Sequence, residues 1–318
     1  MQGAATMAAD QGATGPAPFA QARALATRYA APALSLAILV AALAEIGRLD
    51  LSRIVAMVPA NPAFWIVFAV AYMAPPVADW AIYNRLWGLP ISGVVGTLRK
   101  TIANELLCGY AGEAYLFTVA KRRGVGTGDA LRAVRDVSIL SAAIGSVATL
   151  TSVAIAWPWL GNLDLGLSRP LLAASLAIVA APPVLALAFR ARLSLPTATL
   201  ARIAGIHGLR ALTTVTLGAV LWHLAMPQVS ATWWLALAAV KLMVSRLPLV
   251  SNRELIFAGA TGLLLGHAAD VTALMAMMAA LTVAANVGMG IATGLGEGAV
   301  AALRRAAAAP AEAEMAFA

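Results

Sequence analysis

The sequence predicts an all-α fold: a polytopic transmembrane helix bundle of about seven or eight spans, with two broken or re-entrant helical segments. Three observations carry this. Mean hydropathy is +0.84 and only 11% of the 318 residues are charged, whereas soluble chains carry about a quarter. Apolar stretches recur at lengths near the roughly 20 residues needed to cross about 30 Å of hydrocarbon, and 318 residues hold at most about ten of them. Two polar, glycine-bearing stretches, one in each half, interrupt the apolar pattern.

The elements follow in order. Residues 1–29, rich in Ala, Gly, Gln and Pro, read as a disordered cytoplasmic tail without the apolar core and cleavage site of a signal peptide. The integral domain covers 30–297. Its first span is 30–47, followed by Arg48, Arg53 and an apolar "IVAMVP" suited to the interface. A second is 63–82. Spans three and four, 133–156 and 170–189, are separated by "WPWLGNLDLGLSRP", whose Trp157 and Trp159 suit an aromatic belt. The later spans are 203–225, 232–250 and 271–295, and residues 298–318 form a short Ala-rich tail.

Basic residues give the orientation. Arg85, Arg99, Lys100, Lys121, Arg122, Arg123, Arg132 and Arg135 follow span two, and Arg190, Arg192 and Arg202 follow span four. The alternate loops hold Arg48 and Arg53, then Arg169, then none, so the amino terminus is expected in the cytoplasm. Seven crossings would leave Arg304 and Arg305 outside unless "ELIFAGATGLLLGHA" (254–268) adds a crossing or half-crossing. The +8 formal charge is thereby a membrane-topology signal, and nucleic acid is not an expected partner. Cys108, the only cysteine, excludes an internal disulfide and a multi-cysteine metal site, and reads as a buried thiol.

Polar residues within the apolar mass nominate the site. Ser138, Ser141, Gly145, Thr149 and Ser152 fall within about 80° of one another on span three, a stripe that fits close helix packing. Span five carries His207, Arg210, Thr214 and Gly218. Arg210 lies about 10 Å inside the expected helix start, where it either snorkels outward or lines a wet cavity. Lys241, about 12 Å beyond Trp233, falls mid-span; an ammonium there costs at least about 2.5–3.5 kcal/mol and needs an interior position and a partner, with Asp79, Glu113 and Glu254 as candidates. It either fixes helix register or lines a polar pathway.

The stretch "NELLCGYAGEAYLFTVAKRRG" (104–124) places Glu105 and Glu113 around Gly109 and Gly112. Each glycine costs about 1 kcal/mol of helix preference, so two half-helices meeting there are expected, and their free backbone groups must be buried in protein or line water. The second interruption is "RLPLVSNRELIFAG" (246–259), with Pro248, then Asn252, Arg253 and Glu254. Paired interruptions of this kind point to a central site, while the plainer reading is an amphipathic surface helix.

At these segments the chain resembles the flippase-like membrane domain of lysylphosphatidylglycerol synthetases and their stand-alone relatives. In "NELLCGYAGEAYLFTVAKRRGVGTGDALRAVRDVSILSA", Asn104, Gly109, Gly112, Glu113, Arg122, Arg123, Gly124, Arg135 and Asp136 occupy the family's positions. In the later stretch, Leu247, Pro248 and Glu254 match, Ser251, Asn252 and Arg253 replace glycines, and the last span lacks the family's arginine. The likeness covers roughly 60–295. It implies a lipid-binding or lipid-translocating core in a bacterial inner membrane, with no cofactor, without the soluble transferase of longer members. The expected substrate-binding residues are Asn104, Glu113, Arg122, Asp136, Arg210, Lys241, Arg253 and Glu254. Membrane lipids are the expected partners, with lipid or glycan synthesis enzymes as further ones.

Other functions compete with a flippase or carrier for a polar lipid. A non-transporting partner of a lipid or envelope synthesis system is one. A lipid-headgroup enzyme is another, but there is no Asp-rich diphosphate motif, no Ser–His or metal-ligand cluster, and only His267 with Asp270 as a weak acid–base pair, so the expectation is no enzyme. No ATP-binding P-loop occurs, leaving passive or ion-driven movement.

Overall fold

A computed structural model describes residues 58–107, 111–160, 169–188, 190–245, 257 and 269–315. Among them the chain is all helical. Eight α-helices run in order: α1 Pro62–Trp87, α2 Gly93–Leu106, α3 Ala111–Arg122, α4 Thr127–Leu160, α5 Arg169–Ala188, α6 Thr197–Ala225, α7 Ala231–Ser245 and α8 Ala269–Met315, with one 3-10 turn at Arg190–Arg192. Four segments are long and apolar enough to cross a membrane: Pro62–Trp87, Thr127–Pro158, Thr197–Ala225 and Ala273–Gly296. The chain is thus a multi-pass membrane protein. Helices α5 and α7 contribute shorter apolar stretches, 177–188 and 231–243. The expected span 30–47 and the interruption around 246–259, with Arg253 and Glu254, lie outside the described residues, apart from Phe257.

Local chemistry sets the helix ends. Asn61 caps α1, its Oδ1 accepting from the Ala63 amide at 3.0 Å, and Pro62 fills the first position, where no amide donor is needed. At the other end Gly88 adopts φ 62° and its amide donates to the Asn84 carbonyl at 2.7 Å. Within α1, Pro75 and Pro76 remove two amide donors, and α2 packs beside them: the Thr97 hydroxyl donates to the Pro76 carbonyl at 2.8 Å. Gly124, at φ 79°, ends α3, with Gly124 N–H to the Lys121 carbonyl and Val125 N–H to the Ala120 carbonyl closing the last turn.

The expected break at 104–113 is present. Helices α2 and α3, of 14 and 12 residues, are about 21 and 18 Å long, too short to cross singly. They pack against each other as a helical hairpin, α2 ending at Leu106 and α3 starting at Ala111. Its backbones touch, since a Cβ on Gly112 would run into the carbonyl oxygen and Cγ of Lys100 and the Oδ1 of Asn104.

Contacts fix the helix directions. Helices α1 and α6 are antiparallel, with Phe64 clustered with Leu221 and Trp222 at one end and Ile82 and Tyr83 with Ile203 at the other. Helix α8 runs parallel to α1: Val271, Leu274 and Met275 share the Phe64 cluster, and the Tyr72 hydroxyl donates to Asn286 Oδ1 at 3.0 Å further along both helices. The carboxyl end of α8, with Arg304 and Arg305, therefore points the same way as Trp87. This removes the parity conflict that seven simple crossings would create. At that same end Arg123 donates to the Gly88 carbonyl and Arg135 to the Arg192 carbonyl, gathering the basic loops as the charge count requires.

Candidate functional site

The polar side chains converge on one cavity of about 580 Å³ between α1, α2, α3, α4, α5, α6 and α7. Asp79 is its centre. It is 2% exposed and lies about 12 Å from the Trp87 end of α1. Lys100 Nζ reaches its Oδ2 at 2.6 Å, and Arg210 Nη1 its Oδ1 at 3.2 Å. Lys100 also pairs with Glu113 Oε1 at 3.3 Å, while Arg210 Nη2 donates to Ser141 Oγ at 2.9 Å.

The hairpin positions the acid. Asn104 is stapled into the turn from both sides: its Oδ1 accepts from the Gly112 amide at 2.7 Å and its Nδ2 donates to Glu113 Oε2 at 3.0 Å. Side chains at 97, 100, 101, 104 and 105 recur at helical spacing, so α2 turns one polar face inward; Lys100, Thr101, Asn104 and Glu105 line the cavity, and Thr97 is wholly buried beside α1.

Two cations and two carboxylates thus make a network of zero formal charge in Asp79, Lys100, Glu113 and Arg210. Neutrality matters, since an uncompensated buried charge costs several kcal/mol. Arg210 lies about 20 Å from the start of α6, which begins at Thr197, six residues before the expected boundary. Of its two expected environments, the cavity is the one observed.

Lys241 also lines the cavity, as expected of a mid-span ammonium, but against aromatic rings: Nζ is 5.5 Å from the Trp222 ring centroid and 5.9 Å from that of Phe257. Of its candidate partners, Asp79 and Glu113 are engaged by Lys100 and Arg210, and Glu254 lies outside the described residues. The stripe on α4 does more than pack helices. Ser138, Ser141 and Gly145 line the cavity, while the Thr149 hydroxyl donates to its own Gly145 carbonyl at 2.8 Å.

Two expected site residues lie elsewhere. Asp136 is fully buried outside the cavity lining, where its Oδ1 accepts from Arg135 Nε and Nη2 and its Oδ2 from the Ser194 amide and hydroxyl and the Leu195 amide, at 2.6 to 3.1 Å. It fastens the chain entering α6 onto α4. Arg122 is exposed at the end of α3, away from the lining. Conversely, Lys100 belongs to the site although charge counting places it with the loop cations, and so do Tyr83 and Ser146.

Burial leaves the Ser146 hydroxyl without a hydrogen bond, and the imidazole of His207 lies beside the Val137 carbonyl. An unmet buried hydroxyl forfeits about 1–3 kcal/mol if nothing enters to meet it. Among the described residues no three His, Cys, Asp or Glu side chains gather as a metal would require. No family model matches the chain, and no curated protein or solved structure matches it either.

Proposed function

We propose that this membrane protein binds a polar lipid, or a lipid-linked intermediate, in the α1–α7 cavity and carries its headgroup across the bilayer. One observation carries the reading: the cavity that holds the charged network is also lined by exposed apolar side chains. Ile178 and Leu185 on α5 line the cavity and are 56% and 53% exposed, so apolar chains outside and polar groups inside meet at one mouth. A headgroup would sit among Asp79, Lys100, Glu113 and Arg210 while its tails stay in hydrocarbon. The resemblance of the 104–142 stretch to flippase-like domains supports the same proposal. So does the bacterial cytoplasmic-membrane setting it implies, with the basic end of the bundle inside. Binding and movement, without covalent chemistry, are what the reading requires.

The test is lipid translocation in vesicles of phosphatidylcholine and phosphatidylglycerol, followed by reductive quenching of outer-leaflet fluorescent phosphatidylglycerol. The wild-type chain is expected to raise the translocated fraction above protein-free vesicles. Glu113→Gln, which unbalances Lys100, is expected to abolish the gain at normal membrane levels, with Asp129→Asn, on an exposed ion pair outside the cavity lining, near wild type. Wild-type protein that is folded yet moves no lipid would refute transport and favour a non-transporting membrane partner.

A further inference from the structure

Of the helices around the cavity, α5 is the most loosely held. Every side chain from Ala177 to Ala188 is apolar, so none can tie the helix to a neighbour by a hydrogen bond or an ion pair. Helix α5 packs chiefly on α4, and within 177–188 Val179 is the one buried residue, while Ile178, Val184, Leu185 and Leu187 are more than half exposed. Pro182 and Pro183 sit inside the helix at the level of the cavity, which Ile178, Ala181, Pro182 and Leu185 line. Without those two amides the carbonyls of Ile178 and Val179 lose their helical donors, and the joint is weakened. The proline pair in α1 is braced, since Pro76 is buried and its carbonyl accepts from Thr97. The two sides of the α5 joint are held differently. Beyond Ala188 the chain is fastened to α4: Arg135 donates to the Arg192 carbonyl at 2.8 Å, Asp136 accepts from the Ser194 and Leu195 amides, and Leu193 and Leu195 pack on the Ile82–Tyr83 cluster. Helix α6 also packs on α4 and lines the same cavity, with Thr214 exposed and nothing within 4 Å of a Cβ placed on Gly218.

We propose that α5 is a hinged side gate of the cavity: the arm from Arg169 to Ala181, about 20 Å long, swings about Pro182–Pro183 away from α6, while the segment from Leu185 onward stays on α4. The inference rests on the lipid-binding reading and goes beyond it by naming the element that moves. A tailed ligand requires such an opening, because its polar end must pass sideways from the bilayer into the protein while its tails stay in hydrocarbon. The charged network leaves the gate free to move. Asp79, Lys100, Glu113 and Arg210 lie on α1, α2, α3 and α6, so a swing of α5 breaks none of their ion pairs.

The experiment measures distances between paired spin labels by pulsed electron resonance, in the full-length protein with Cys108→Ala, in vesicles of phosphatidylcholine and phosphatidylglycerol. One pair, at Ala177 and Val220, reports the arm, and the other, at Leu187 and Leu209, reports the fixed base; all four positions are exposed. The arm pair is expected to show two distance populations and the base pair one. Changing Pro182 and Pro183 together to Ala restores both amide donors, and is expected to merge the arm populations into the shorter one and to slow translocation of fluorescent phosphatidylglycerol about fivefold or more. A single arm distance as narrow as that of the base, with the proline-bearing chain, would overturn the gate and leave lipid binding standing, and this comparison needs no proline variant to fold. Equal spread in the two pairs would overturn the placement of the hinge, as would two arm populations that persist without the prolines. Two arm populations in a protein that moves no lipid would uphold the hinge and overturn the transport reading.

Discussion

Substituting Asp79 with Asn removes one charge from the buried network while keeping the side chain's size. The network passes from two cations and two anions to two cations and one anion, a change from zero to +1, at a position 2% exposed. Breaking a buried pair by removing one partner costs about 3–5 kcal/mol, because the remaining charge is left uncompensated. Here Arg210 loses the Asp79 carboxylate outright, and Lys100 loses the shorter of its two contacts, 2.6 Å against 3.3 Å. Glu113→Gln removes a charge whose side chain is 18% exposed and leaves Lys100 on Asp79, so about 1–2 kcal/mol is expected. Unfolding of each variant by sodium dodecyl sulfate in mixed micelles measures both losses. Adding Lys100→Met to Asp79→Asn restores neutrality with Arg210 and Glu113, and the double variant is expected to be more stable than the sum of the two single losses by well over about 0.5 kcal/mol. An Asp79→Asn loss no greater than that of Glu113→Gln, together with an additive double variant, would refute the assignment of Asp79 as the centre of the network.

Further outcomes follow from individual contacts. Gly112→Ala places a methyl group against the Lys100 backbone and is expected to cost about 1–3 kcal/mol or more, whereas Gly205→Ala, with nothing within 4 Å, is expected to be neutral or mildly stabilising; equal effects in the same unfolding assay would contradict the close hairpin. Asp136→Ala is expected to cost about 2 kcal/mol or more of stability with unchanged lipid affinity, and a selective loss of affinity would show that Asp136 acts at the site. A Lys241→Met and Trp222→Leu cycle is expected to show about 0.5–2 kcal/mol of coupling, and none would dismiss the cation–ring contact. In a Cys108→Ala background, cysteines at Thr127 and Ala191 and a reporter fused to the carboxyl end are expected on one side of the membrane and a cysteine at Gln228 on the other; any mixture of sides would contradict the parallel course of α1 and α8.

Much of this architecture was legible in the sequence because bilayer thickness and backbone satisfaction leave few options. Helices α4, α5, α6 and α7 start within about six residues of the expected boundaries, and the glycine-bearing stretch after Asn104 breaks into two short helices. The α6 boundary moved because polar Thr197, Thr199 and Arg202 look like loop on hydropathy alone, yet Pro196 suits the position before a helix and the turn carries no helix breaker. Lys100 was hidden by its neighbours: beside Arg99, it counts as one more cytoplasmic charge. The signal that could have placed it is the polar spacing of Thr97, Lys100, Thr101, Asn104 and Glu105, a helical face on an otherwise apolar segment. Asp136 illustrates the reverse. An acid in a motif invites a binding role, but the neighbouring Arg135 guanidinium takes one oxygen and the Ser194 amide and hydroxyl with the Leu195 amide take the other, and nothing in the local sequence announces Ser194 and Leu195 as partners.

The network is hard to account for by stability alone. Buried ion pairs in general contribute little over well-packed apolar side chains, since desolvation offsets their attraction, and replacing a complete set with hydrophobic groups is often neutral or stabilising by about 1–4 kcal/mol. Asp79, Lys100, Glu113 and Arg210 sit on four different helices, so simple packing residues at those positions would hold the bundle as well. The hairpin adds a further constraint: Gly112 must remain without a side chain so that Asn104 can reach across to the turn and hold Glu113 against Lys100. A simultaneous change of all four residues to Met or Leu separates the two roles. If the network serves the ligand, the apolar variant should fold with stability within about 2 kcal/mol of wild type and lose lipid binding; a variant that binds phosphatidylglycerol as wild type does would leave the charges with a purely structural role.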